Sequence, residues 1–310
     1  ADSYDAISQL QIIQDMRLLA EGRQISFAEV LPLLRRFAKS QSAIVISGLY
    51  RLANDLQQFV SADSTEEKNL QTFFGKLSAE QVERLGFANR ASDTADDLVI
   101  RPEVLKAALY AQNKAALAGV HELFVANQAN LAALPAEVRA LVLTNEVKNF
   151  GNAELFEQLL TTYAKSSDAS FKADIQVALT STTDEQFIGQ IIVALENADI
   201  IKPQDLRAWV PALLNNDASQ QATWDWLQSD WSWLEKTVGG GMGFTTYVNA
   251  VGQAFKTQAR LVEYQQFFGP KINTPGLTRE ILMDKKVIEA RVDLIESEKA
   301  AVNTAVAKEL

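Results

Sequence analysis

Hydrophobic residues recur three or four positions apart along nearly the whole chain, the spacing that places them on one face of an α-helix. The first such run covers residues 7–20, and the last extends from Thr278 to about Ala307. No segment alternates apolar and polar residues between turn signals, as half-buried strands do. The pattern therefore predicts an all-α fold.

Two helices in the middle of the chain carry matching apolar stripes, offset by 32 residues from 155 to 187. Shorter helices are predicted before them, over 136–148 and 169–180. A unit of two helices cannot bury its apolar face alone, whereas stacked units can. The repeat predicts a HEAT/armadillo-like superhelix of antiparallel helix pairs. The two stripes are Leu155, Phe156, Leu159, Leu160 and Tyr163, and Phe187, Ile188, Ile191, Ile192 and Leu195.

Helix starts are indicated by capping boxes, in which a Ser or Thr hydroxyl and a Glu or Gln three residues later satisfy free backbone amides. Each candidate pair precedes or opens an apolar helical run. We expect four capped helix starts. The pairs are Ser26/Glu29, Ser64/Glu67, Ser78/Gln81 and Thr183/Gln186.

Tryptophans cluster in the second half of the chain, and a glycine-rich segment follows them. Trp224 and Trp231 are seven residues apart, on one face if their helix is continuous. We interpret most of the tryptophans as core between helices, with one or two lining a cleft as the alternative. The run 239–243 lacks the Gly-Lys-Ser/Thr of a phosphate loop. It is interpreted as a break between helices.

Charge and composition exclude several classes of partner. The net charge is -10, and no basic stripe of a nucleic-acid-binding protein or polybasic membrane segment is present. No apolar run reaches the roughly 20 residues that span a bilayer. The chain contains 0 Cys, which fits a cytoplasmic protein. It begins at Ala1 without Met, so we expect further chain upstream.

The sequence contains little evidence of a catalytic site. The one histidine, His121, opens the sequence His-Glu-Leu-Phe-Val, so Val125 stands where a zincin helix needs its second histidine. Ser47-Gly48 lies inside an apolar helical run, a poor setting for a nucleophile. The acidic pairs 66–67 and 96–97 suit first turns of helices better than acid–base work. The sequence therefore predicts no catalytic, cofactor-binding or metal-binding residue.

A series of short segments runs in order over nearly the whole chain: Asp15 with Leu19-Ala20, Leu85-Gly86 with Asp93–Asp97, Pro135–Arg139 with Tyr163, Ile201–Asp205, Trp224–Trp231, Phe255 with Thr257, Phe267-Phe268, and Gly276–Arg279. Together these segments resemble the C-terminal helical domain of bacterial aminopeptidase N-type zinc aminopeptidases, the gluzincin family. Lys202 stands in place of a family Arg, Asp230 in place of an Asn, and the family landmarks around 283–291 are replaced.

The resemblance implies a longer parent protein, in which residues 1–310 form a single C-terminal helical-repeat domain. The parent's missing β domains and catalytic domain would lie upstream, and the catalytic domain would hold zinc through H-E-x-x-H and a later Glu. The helical domain itself would need no cofactor. It would form a concave bowl that encloses the active site and restricts access of peptides. Its partners would be the parent's own domains and peptide substrates.

The repeat pattern alone fits a second function equally well, a stand-alone scaffold that binds a peptide or a partner helix on its concave face. The first helix favours the parent hypothesis, because its apolar residues are too widely distributed for one narrow stripe. They suggest a face that another domain covers. Trp209, Lys202 and Arg207 are hypothetical cavity residues. The apolar residues of the first helix are Leu10, Ile12, Ile13, Leu18 and Leu19.

Overall fold

The computed structural model describes residues 4–239 and 242–310. Within those ranges, sixteen α-helices and six short 3₁₀ turns are present and no strand occurs, which confirms the predicted all-α fold. The chain divides into two compact units. Unit 1 comprises residues 1–142 and 294–310, and unit 2 comprises 143–293. Both boundaries fall within helices.

Unit 1 contains six whole helices and parts of two others: α1 (Ala6–Glu21), α2 (Leu31–Phe37), α3 (Ala43–Asp55), α4 (Thr65–Leu85), α5 (Ala95–Tyr110), α6 (Lys114–Asn127), the start of α7 (Ala136–Asn149) and the end of α16 (Thr278–Lys308). Its main core consists of buried side chains from α1 to α5, from the 3₁₀ turns before α2 and α4, and from the end of α16. Within this core, α3 packs on α1, α2 and α5, and α5 also packs on α4. At the end of α16, Asn303 donates a hydrogen bond of 3.1 Å to the carbonyl of Phe59.

Two of the predicted caps are present in unit 1. Ser26 and Glu29 form a complete capping box on the 3₁₀ turn that leads into α2. Ser64 caps α4 by accepting from the amide of Glu67, but the Glu67 carboxylate accepts from the amide of Asp63 instead of closing the box. Side-chain acceptors at free amides thus set where both segments begin.

The other two predicted caps are wrong. Ser78 lies in the interior of α4, where its hydroxyl donates to the carbonyl of Phe74. Thr183 is displaced as a cap by Asp184, whose carboxylate accepts from the amides of Gln186 and Phe187. A serine three residues before a glutamine also occurs within helices, so the sequence signature alone does not fix a helix start.

A capping box that the sequence analysis missed begins α5. Thr94 and Asp97 exchange side-chain and backbone hydrogen bonds, and Arg84 forms an ion pair with Asp97 at 2.5 Å. The Thr94 amide and then the Arg84 side chain lower the pKa of Asp97 to about 2. The acidic pairs 66–67 and 96–97 both lie in first turns of helices, as predicted.

Unit 2 contains the repeat. Its helices are the end of α7, α8 (Ala153–Lys165), α9 (Ala169–Leu179), α10 (Glu185–Ala194), α11 (Leu206–Asn215), α12 (Asp217–Ser229), α13 (Trp231–Val238), α14 (Thr245–Ala254), α15 (Gln258–Phe268) and the start of α16. The paired helices pack on one another in sequence: α8 on α9, α9 on α11, and α10 and α11 on α12. Both predicted stripes are largely buried, and the rings of Phe156 and Phe187 stack between the two repeats with their centroids 4.5 Å apart.

An aromatic cluster closes the core of unit 2. The helix predicted to carry Trp224 and Trp231 is interrupted at Asp230, which ends α12 and precedes α13. Both indoles nevertheless contact Phe267 and Phe268, with ring centroids 5.3 to 6.1 Å apart. Four tryptophans are buried and Trp233 is half-buried, which confirms the core interpretation. Of the glycine-rich break, positions 240–241 lie outside the described residues.

A buried carboxyl lies where α14 and α16 come close. A Cβ atom on Gly252 would lie 2.6 Å from Cβ of Asp284, so only glycine permits this approach. The amide nitrogen of Asn249, oriented to donate, lies 2.7 Å from Asp284 Oδ2. Burial first, and then the charge of Glu280, raise the pKa of Asp284 to about 6, while Arg291 opposes the rise.

Replacing Asp284 with Asn tests this assignment. A carboxyl whose pKa is raised on folding stabilises the fold fully below about pH 4, and that stability is lost as the pH rises through about 6. We therefore expect the free energy of unfolding of Asp284→Asn, relative to that of the wild type, to rise by about 2 kcal/mol between pH 4 and pH 7.5. Urea unfolding at each pH measures this difference. The exposed Asp225→Asn is the control. Parallel pH profiles for wild type and Asp284→Asn would contradict the assignment.

Candidate functional site

A polar groove of about 410 Å³ lies in unit 2, where the end of α8, the first turns of α9 and the start of α11 meet. Asn152 and Asp168 cap α8 and α9, and the 3₁₀ turn 203–205 leads into α11. The side chains that define the groove are Tyr163, Lys172, Gln176, Lys202, Gln204, Asp205 and Arg207.

A hydrogen-bonded network forms the floor of the groove. The indole Nε1 of Trp209 donates to the hydroxyl of Tyr163 at 2.9 Å, and that hydroxyl donates to Asp205 Oδ2 at 3.0 Å. The ammonium of Lys172 lies 3.4 Å from the same carboxylate oxygen and 4.4 Å from the centre of the Tyr163 ring. The network joins the neighbouring helices α8 and α9 to the start of α11, since Asp205 and Trp209 are 42 and 46 residues from Tyr163.

Burial keeps the Tyr163 hydroxyl protonated, which the network requires. Burial raises the pKa of Tyr163 to about 12, with the indole of Trp209 opposing the rise and the charge of Asp205 adding to it. The hydroxyl can therefore donate to Asp205 at any physiological pH. A buried phenol with both a donor and an acceptor satisfied holds its position rather than exchanging protons.

The open side of the groove is cationic. Lys202 and Arg207 are exposed, and among the described residues neither forms an ion pair with a carboxylate. Lys172 shares Asp205, so three cations face one anion in a chain whose net charge is -10. Such a surface attracts anionic groups and carbonyl oxygens.

A second, apolar groove of about 860 Å³ lies along α8 and α10 of the same unit. Phe156, Leu160 and Val193 line it, and Val193 is 76% exposed. The groove runs between the two repeats, on side chains that belong to or flank the matching stripes. It offers apolar contact and no titratable group other than those of Glu157 and Lys165.

The structure separates the three hypothetical cavity residues. Lys202 and Arg207 line the cationic groove, but Trp209 is 0% exposed and lies beneath it, because its indole is needed as the donor to Tyr163. Lys172 was missed by the sequence analysis. A lysine in the first turn of a short helix gave no signal, since its partner Asp205 lies 33 residues away.

The described residues contain no candidate metal-binding site. His121 is half-buried on α6, and no three His, Cys, Asp or Glu side chains come together there in a group that could hold a metal ion. Ser47 is half-buried on α3. In the same ranges, no helix has both the length and the apolar character needed to cross a bilayer.

Comparison with known protein families places the chain in one of them. The family model described as the ERAP1-like C-terminal domain matches residues 1–290. The chain belongs to this family. Tyr163 and Asp205, which belong to two of the family-like segments of the sequence analysis, meet Trp209 in the groove floor of this ERAP1-like domain.

Several relatives of this ERAP1-like domain are longer bacterial proteins. Aminopeptidase N of Lactobacillus helveticus is 51% identical over 99% of the chain, and the match covers 36% of that relative. Aminopeptidase N of Lactobacillus delbrueckii subsp. lactis is 46% identical over 100% of the chain and 37% of the relative. The corresponding values for Aminopeptidase N of Lactococcus lactis subsp. cremoris are 40%, 98% and 36%. The chain thus spans little more than a third of these relatives, and the predicted resemblance is confirmed.

Removing single hydroxyls tests the network of the groove floor. Tyr163→Phe leaves the buried indole N–H of Trp209 without its acceptor, so we expect a loss of about 1–3 kcal/mol in the free energy of unfolding. Tyr50→Phe is the matched control, because the buried hydroxyl of Tyr50 has no hydrogen-bond partner within the described part of the chain. Urea unfolding measures both. Equal losses in the two variants would contradict the network.

Proposed function

We propose that this chain is the non-catalytic C-terminal domain of a cytoplasmic zinc metalloaminopeptidase that removes N-terminal residues from peptides. The observation that carries the proposal is the family match over residues 1–290, together with relatives that are named Aminopeptidase N and are nearly three times as long. Residues 1–310 act as one domain of that parent protein, and its partners are the parent's own catalytic and β domains.

The proposed role is to enclose substrate. The domain forms a concave bowl over the active site and restricts which peptides reach it. Helical repeats suit this role because they present long grooves built from many short helices. The cationic groove supports the proposal, since Lys202 and Arg207 offer unpaired positive charge to the carbonyls or carboxylate of a peptide.

Zinc belongs to the parent's other domains in this proposal. The described residues do not fit it, because His121 has Val125 where a second imidazole would be needed and no other histidine exists in the chain. No step of the peptidase reaction is therefore assigned to a residue of this chain. In this proposal its side chains bind and orient the peptide and restrict which peptides reach the active site.

The activity of the isolated chain tests the proposal directly. We expect purified residues 1–310, supplied with zinc, to release no product from an aminoacyl anilide, whereas the full-length parent protein does. Zinc-dependent turnover by the pure chain would contradict the assignment. So would a full-length protein that binds a partner helix but hydrolyses no N-terminal residue, since that is the behaviour of a stand-alone scaffold.

Charge removal in the cationic groove tests its part in substrate binding. In the parent protein, we expect Lys202→Gln with Arg207→Gln to raise KM for peptides by about three- to tenfold, because each lost charge-assisted contact weakens binding by about a kcal/mol or less. KM for a short aminoacyl anilide should not change. The matched control is Lys236→Gln with Arg279→Gln, two exposed cations outside the groove. Equal effects on anilide and peptide, or an equal effect of the control, would contradict this role.

A further inference from the structure

Unit 1 carries an apolar groove of about 630 Å³ between α1, α3 and α5. Its walls expose large aliphatic side chains: Leu18 is 63% exposed, Val99 51% and Ile44 45%. Leu10 and Ile13 complete the wall on α1.

Further apolar side chains are exposed on the two helices that flank this groove. Ile7 and Leu19 are exposed on α1, and Leu98 is exposed on α5. Exposed apolar side chains are common singly, but a grouping around one groove is typical of a surface that another body covers. The first helix therefore has the broad apolar face that its sequence predicts.

The polar edge of the groove indicates the charge of what covers it. Arg17 is already engaged, with Asp55 at 2.6 Å and Glu21 at 2.8 Å. Arg51 also lines the groove and is exposed, but no carboxylate pairs with it among the described residues. An apolar surface that carries an acidic side chain opposite Arg51 is complementary to this groove.

The relatives indicate which body that is. About two thirds of each matched Aminopeptidase N lies outside the matching segment, and the family is that of a C-terminal domain. Leu10 and Leu18 lie within roughly 6 and 18 Å of the start of α1, at 1.5 Å per helical residue. A domain joined just before α1 is therefore tethered beside the groove, at an effective concentration that a free partner rarely reaches.

We propose that this groove is the docking surface for the part of the parent protein that precedes α1, through an apolar patch with a carboxylate facing Arg51. The inference rests on the proposed function only in requiring a longer parent protein. It assigns the cover of the groove to a segment of the same polypeptide rather than to a second copy or a free peptide.

Two charges placed in the groove test the proposal. Leu18→Glu with Ile44→Glu leaves the isolated chain folded, because both side chains are exposed in it. In the parent protein, we expect trypsin to cleave the connection before α1 about tenfold faster and the first thermal transition to fall by roughly 5 °C. The matched control, Leu282→Glu with Val177→Glu, changes similarly exposed apolar residues outside the groove and should alter neither.

Three outcomes would overturn the proposal: a parent protein whose cleavage and melting the groove variant leaves unchanged, an equal effect of the control, or an isolated chain that dimerises through the groove while the parent is indifferent. Turnover of an aminoacyl anilide is measured alongside. Its absence in the wild-type parent would contradict the proposed function, whereas the cleavage rates alone decide for or against the groove.

Discussion

Burial of a narrow apolar stripe on short helices is the constraint on which unit 2 depends. α8 and α10 have only 13 and 10 residues, lengths at which an isolated helix is marginal in water. Each gains its stability from the neighbouring repeat, as the stacked rings of Phe156 and Phe187 illustrate. Because every repeat packs on the next, grooves remain where two repeats meet, and these grooves are the surfaces available for binding.

The polar groups buried beneath the cationic groove form hydrogen bonds with one another. The side chains exposed above them therefore remain available for binding. Tyr163, Asp205 and Trp209 satisfy one another beneath the cationic groove. Lys202 and Arg207 lie above this rigid floor and have no carboxylate partner among the described residues. The buried tryptophans thus contribute to packing, whereas the exposed cations make the proposed contact with peptide.

Helix periodicity was enough to predict the fold class, the repeat and the approximate limits of four helices, since those depend on local spacing and on turns. These are the helices predicted over 7–20, 136–148, 169–180 and 278–307. Capping was predicted less well, because Ser78 and Asp184 show that a helix interior or a neighbouring carboxylate can take over a short signature. The site was harder still. Lys202 and Arg207 were named only as hypothetical cavity residues, and their neighbour Lys172 comes to the groove through packing of α9 on α11.

The reading frame upstream of Ala1 tests the central claim most directly, because the account places the chemistry in another part of the same polypeptide. Determining the full coding sequence is the measurement. The account predicts several hundred further residues that contain H-E-x-x-H and a downstream Glu, continuous with α1. A start codon immediately before residue 1 would contradict it and make a free-standing helical scaffold the better account of this chain.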